Sequence, residues 1–211
     1  MKFEQIRGAT SIVTYAGVRF LVDPMLAKKF TYPGVPTTIN CAKGNPTTEL
    51  PCPVSDLFNV DALLVTHLHF DHFDEAAKQL IPKDIPVIVS NCTDAWFMND
   101  IGFKTVINAI DGCVFKDIKI SVTECEHGDS DPVVHKIFTD KGIDGTAHGF
   151  VLDSKKEKGA FYLAGDTILY ESVFESIEKY VQYYNNERLH SCLGYQTPKE
   201  ALDFYDLLSQ T

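Results

Sequence analysis

Four apolar residues, Ala62 to Val65, run without a break into Thr66-His67-Leu68-His69-Phe70-Asp71-His72. A short apolar run of this kind reads as a buried strand, from Ala62 to Thr66, and it delivers three histidines and an aspartate into the six positions from His67 to His72. Any fold of this chain must therefore bring a core strand to an end at a strongly polar site. On an extended segment His67 and His69 point the same way and can share one metal ion. Asp71 and His72 follow at the next turn, within reach of a second ion. Neutral imidazoles and carboxylates are the usual ligands of zinc and its first-row neighbours. As mere loop or capping groups, four such side chains in six positions would be an unusual concentration.

The flanking sequence predicts the frame for that site. Phe3–Arg7, Ser11–Tyr15 and Val18–Val22 read as antiparallel strands with a turn at Ala16-Gly17, ending in Asp23-Pro24. Residues 31–53 are rich in proline and poor in large apolar residues, which predicts a surface excursion. After the histidine cluster come a helix over Asp74–Leu80, a strand over Ile85–Ser90, a helix over Thr93–Ile101 and a strand over Lys104–Ile107, an α/β alternation. Strands over Gly112–Phe115, Ile118–Thr123, His148–Asp153 and Ala160–Ala164 follow, with a polar loop from Gly128 to Ala147 long enough to serve as a lid or substrate loop. Beyond Asp166 the period changes. Phe174, Ile177, Val181 and Tyr184 predict an amphipathic helix over Glu171–Tyr184. Thr197, Pro198 and Glu200 form the capping box of a last helix whose apolar face carries Leu202, Tyr205 and Leu208.

Composition narrows the function classes. The formal charge of -10, from 19 basic and 29 acidic residues, disfavours binding to a phosphate backbone. Apolar runs fall far short of the roughly 20 residues of a spanning helix, and the first ten residues lack the apolar core of a signal peptide. The six cysteines form no C-x-x-C pair, which predicts free thiols in a reducing cytoplasm. A cytoplasmic protein that acts on a small molecule, with no nucleic acid or membrane partner, is the expectation.

THLHFDH matches the H-x-H-x-D-H signature of the metallo-β-lactamase fold superfamily, and LVDPM resembles the hairpin ending in Asp-Pro of its L-ascorbate-6-phosphate lactonase-like branch. The resemblance extends from residue 1 to about residue 172. It implies His67 and His69 as ligands of one metal and Asp71 and His72 as ligands of another. His127, in TECEHGD, resembles the third histidine of the first site, with His148 and His135 as rivals and Cys125 as a remote one. Asp166, in YLAGDT, resembles the carboxylate that bridges the two ions. Asp23 would orient a ligand, or else serve only as a turn residue before Pro24. The implied cofactor is one or two divalent ions, zinc or manganese, with iron also suited. The implied chemistry is hydrolysis of a small ester, lactone or phosphodiester, with Asp71 or Asp166 holding the nucleophile and passing on its proton.

The resemblance breaks after Asp166, where the family continues with further strands and a last histidine. Here IEKYVQYYNNERLHSCLGYQTPKEAL resembles the C-terminal end of integrase-core insertion-sequence transposases. A hydrolase domain over 1–172, incomplete in its second half, joined to a transposase-like helical tail over 173–211 is therefore expected, within a metallo-β-lactamase-like αββα sandwich. From Glu175 to Thr211 there are six acidic and three basic residues, too few cations for an autonomous DNA binder. His190 is the one histidine after Asp166 and so the one C-terminal stand-in for the missing ligand. Loss of strands also exposes sheet edge, which favours homo-oligomers. The alternatives to an active hydrolase are a non-catalytic remnant that binds at most one metal and a transposase-derived DNA-binding protein.

Overall fold

The computed structural model describes residues 1–34, 42–127 and 147–168, and in the tail 175, 177–178, 181–182, 185–187 and 196–209, with side chains up to Asp203. Two sheets form its body. The first has six strands in spatial order β1-β2-β3-β4-β5-β6: β1 (Lys2–Arg7), β2 (Thr10–Tyr15), β3 (Val18–Val22), β4 (Ala62–Val65), β5 (Val87–Val89) and β6 (Val106–Asn108). β1, β2 and β3 pair antiparallel, whereas β3 to β6 are parallel. The second sheet is antiparallel in the order β10-β9-β8-β7, from β7 (Cys113–Phe115), β8 (Ile118–Glu124), β9 (His148–Asp153) and β10 (Phe161–Leu163).

Alternation along the first sheet explains its place in the middle. Ile12, Leu21, Leu63, Val65, Val87 and Val89 pack on one face with Ala77 and Met98 of the helical layer and with Phe73 and Ile81, which flank its first helix. Their neighbours Val13, Phe20, Val22, Leu64 and Ile88 pack on the other with Ile118, Ile120, Phe150 and Leu152 of the second sheet. Successive side chains of a strand face opposite ways, so a sheet covered on both sides needs the unbroken apolar runs seen at Ala62–Val65 and Val87–Val89. The helical layer is α1 (Glu75–Leu80), α2 (Cys92–Asp100) and a 3-10 turn over Val54–Phe58, the last a stretch to which the sequence reading gave no element. The mixed α/β, two-sheet class is the expected one.

Asp74 caps α1 instead of belonging to it. Its carboxylate accepts from Ala77 N at 2.8 Å, Leu26 N at 3.1 Å and Ala27 N at 2.7 Å, joining the helix to the bend after β3. Hydrogen bonds to a charged acceptor contribute about 1.5–3 kcal/mol each, so Asp74→Ala is expected to cost about 3 kcal/mol or more of unfolding free energy, read from the urea midpoint.

In the tail, α3 (Pro198–Ser209) begins with the expected capping box: Thr197 Oγ1 accepts from Glu200 N at 3.2 Å, and Glu200 Oε2 accepts from Thr197 N at 2.9 Å. The predicted loop at 128–147 lies, except for Ala147, outside the described residues, as do His135, His190 and most of the predicted helix over 171–184. Among the described residues no helix is long and apolar enough to cross a membrane.

Candidate metal centre

Three parallel strands of the first sheet end side by side, and each hands over to a polar residue. β3 leads to Asp23, β4 to Thr66 and His67, and β5 to Ser90. This rim, beyond the carboxyl ends of parallel strands, is where α/β sheets gather ligand-binding groups. The second sheet faces it with His127, just past β8, and Asp166, just past β10.

The histidines converge there. His67, His69 and His127 each bring one ligand atom within 4.8 Å of the others, and so do His67, His72 and Asp166. His67 belongs to both groups. His127 Nε2 lies 3.0 Å from His69 Nδ1, and His72 Nε2 lies 3.0 Å from Asp166 Oδ1. Five of the six residues expected from the sequence thus form two sets that share a member. Asp71, the sixth, lies beside them, half-buried on the wall of a cleft that it shares with His72 and Asp166.

The rivals take other places. His148 Nδ1 is 3.1 Å from Ser90 Oγ, and His148 belongs to neither set. Cys125 Sγ donates to Ala164 O at 3.1 Å, and burial pushes its thiol up to about 11, away from the thiolate that binds metals.

Asp23 orients the centre, the role weighed against a plain turn. Its carboxylate accepts from Thr66 N at 2.8 Å and Thr66 Oγ1 at 2.9 Å, and its Oδ2 lies 3.0 Å from His72 Nδ1. Thr66 Oγ1 in turn lies 3.0 Å from His67 Nδ1. Asp23 itself sits at a φ of 44°, in the left-handed region that aspartate tolerates better than most residues. Sequence reasoning passed over Thr66 and Ser90; their position at the ends of buried strands was the available signal. Gly165 supplies the bend before Asp166. Its φ is +65°, and a Cβ there would meet His148 O at 2.7 Å.

Electrostatics sort the rings. Burial, reinforced by neighbouring imidazoles, pushes His67 far below the usual histidine range and His69 down to about 3, so both are neutral donors of a lone pair. At His72 burial is opposed and outweighed by Asp23 and Asp166, which hold its ring up at about 10. Burial raises Asp71. At Asp166 burial is outweighed by the hydrogen bond with His72, and its carboxyl is held below the ordinary value.

These donors fit a divalent cation. His67 is 1% exposed, and its buried Nε2 has no hydrogen-bond partner among the described residues, a state that costs free energy unless the atom is given something to bind. Nitrogen and carboxylate oxygen together suit zinc, manganese and iron. Removing a residue that orients a ligand lowers metal affinity 10–100-fold in such sites. Asp23→Ala is therefore expected to weaken affinity for an added divalent ion by about that factor, measured by competition with a chromophoric chelator, with the circular dichroism spectrum largely kept.

Known proteins share this frame. The model of the Beta-lactamase superfamily domain matches residues 18–183. The UPF0173 protein YddR of Bacillus subtilis is 39% identical over 178 residues, which cover 84% of this chain and 67% of that protein. A UPF0173 metal-dependent hydrolase of Methanosphaera stadtmanae is 27% identical over 173 residues, covering 81% and 63%. Among solved structures, an isothiocyanate hydrolase from Delia radicum gut bacteria superposes with a TM-score of 0.76 at 35% identity, covering 86% of this chain and 69% of that one. A possible metal-dependent hydrolase from Veillonella parvula gives 0.77 at 33% identity, covering 85% and 68%. The chain thus spans about two thirds of the length of these relatives.

Proposed function

Since the chain belongs to the family of the Beta-lactamase superfamily domain, we propose that it is a metal-dependent hydrolase of a small molecule, with His67, His69 and His127 holding one divalent ion and His72 and Asp166 able to hold a second. The observation that carries this reading is the convergence of these five side chains, from three separate stretches of sequence, around the buried His67.

A divalent ion held there supplies Lewis acidity and brings the pKa of water towards neutrality. The chain's own groups do the rest. His67 and His69 offer neutral nitrogen, Asp23 and Thr66 fix the ring of His72, and Asp166 is steadied by His72. Asp71, on the cleft wall and outside both tight sets, is free to take the proton of the attacking water and return it to the leaving atom. The tail from 173 to 211, which resembles a transposase terminus, supplies no ligand in this reading.

The likeness to an isothiocyanate hydrolase makes isothiocyanates the first substrates to try, beside the esters, lactones and phosphodiesters implied by the sequence resemblance. Water added across the C=N bond of R–N=C=S gives R–NH–C(O)SH, which releases R–NH2 and carbonyl sulfide. The test is metal analysis of the purified chain together with turnover of isothiocyanate, lactone and phosphodiester probes. Retained zinc or manganese with turnover supports the proposal, and failure to retain any divalent ion defeats it. The second reading is a protein of this fold that binds metal without turnover. Tight metal with no activity on any probe favours it.

A further inference from the structure

The cleft beside His72, Asp71 and Asp166 encloses about 450 Å³, within the range of small-molecule sites. One residue of its wall does not fit the core. Among the described residues every buried apolar side chain larger than alanine belongs to one of the two core clusters, with one exception: Met25, 4% exposed, which lines this cleft. The bend that carries Met25 is fastened at every turn. Thr10 Oγ1 accepts from Met25 N at 2.9 Å, Arg7 Nη2 donates to Met25 O at 2.7 Å and to Ala27 O at 2.9 Å, and the Asp74 carboxylate receives Leu26 N and Ala27 N. A flexible, polarisable side chain on a backbone held by these five hydrogen bonds, beside the candidate metal centre, can mould itself to an apolar group.

The wall also states which charge it admits. Arg7, its one arginine, gives N–H groups to the carbonyls of Met25, Ala27 and Thr48, and its Nε is buried without a hydrogen-bond partner among the described residues. Three N–H groups of the guanidinium are taken up in holding the bend, and the wall carries the two carboxylates of Asp71 and Asp166 against this one arginine and, among the described residues, no lysine, a poor seat for a carboxylate or phosphate. Ala9 and Pro46 add apolar surface, and Asn45 and Thr47 add neutral polar groups.

We propose that Met25 is a specificity-determining residue, and that the substrate is an uncharged molecule whose alkyl substituent lies against Met25 while its electrophilic carbon faces the histidine-aspartate centre. This rests on the hydrolase reading for the position of the reacting carbon.

The test uses the full chain loaded with zinc and labelled with 13C at the methionine methyls, of which there are three, Met1, Met25 and Met98. The probes are n-alkylureas from methyl to hexyl, uncharged and inert to turnover. The Met25 methyl resonance is expected to shift while those of Met1 and Met98 stay, and affinity should rise about three- to fourfold per added methylene, the equivalent of ~0.8 kcal/mol each. Met25→Leu should keep that increment, and Met25→Ala should reduce it to less than twofold. A stationary Met25 resonance at saturating hexylurea, or an unchanged increment in Met25→Ala, overturns the proposal. So does tighter binding of alkyl carboxylates than of the ureas. Failure of the hydrolase reading shows separately, as absent metal or turnover with the methyl shift intact.

Discussion

Replacing His67 with alanine is expected to lower hydrolysis roughly 1000-fold or more and to reduce bound metal to a trace. His67 is the member common to the two groups of converging ligands, so its loss removes a donor from both at once, whereas loss of His127 or Asp166 would impair one group. Charge stabilisation by a bound cation amounts to several kcal/mol at the transition state, and each 1.36 kcal/mol is tenfold in rate. The experiment compares kcat/KM and metal content for wild type and His67→Ala on whichever probe turns over. Turnover within tenfold of wild type, with metal retained, would show that the reaction does not run through this centre. His148→Ala is the matched control. That residue belongs to neither group, and its replacement should leave the metal in place.

The largest effect on stability is expected at Phe150. It lies on β9, fully buried between the sheets, opposite Val122 of β8 and Leu163 of β10. Truncation of such a ring to alanine costs about 3–5 kcal/mol, part transfer free energy and part cavity. The whole fold of a typical domain is stable by about 5–15 kcal/mol, so Phe150→Ala should lower the urea midpoint severely and reduce soluble yield. Val114, on the outer strand β7 and 72% exposed, gives the contrast: Val114→Ala should change stability by no more than about 0.5 kcal/mol. Equal effects at the two positions would mean that the sheets do not pack as described.

What the sequence disclosed depended on how local each cause was. The hairpin β2–β3, the strand β4 with its loaded end and the Thr197 capping box are each specified by neighbours within a few residues, and each stands where the pattern placed it. Pairing His69 with His127 is another matter. The two are 58 positions apart, and only family resemblance joined them before the sheets were seen to face each other. The Arg7 network left no trace of itself, because its partners are carbonyl oxygens 18, 20 and 41 residues away, and backbone acceptors carry no residue-type signal. Met25 was equally silent. In the string LVDPM it looks like one more apolar residue, and only its absence from both core clusters separates it from Leu26 beside it.

The fastened bend from Asp23 to Ala27 has a corollary for anyone who would retune this protein. Its first residue steadies the imidazole of His72, its third lines the cleft, and its last two are clamped by Asp74. With substrate choice set at Met25 as proposed, cation affinity and substrate choice would be geared to one another, since a substitution that shifts the chain to admit a bulkier guest would also swing the carboxylate two places upstream. Directed evolution towards new substrates should accordingly throw up variants with altered metal preference as a by-product, and enlarging the guest site without that side effect calls for changes outside the bend, such as Thr47 of the same cleft.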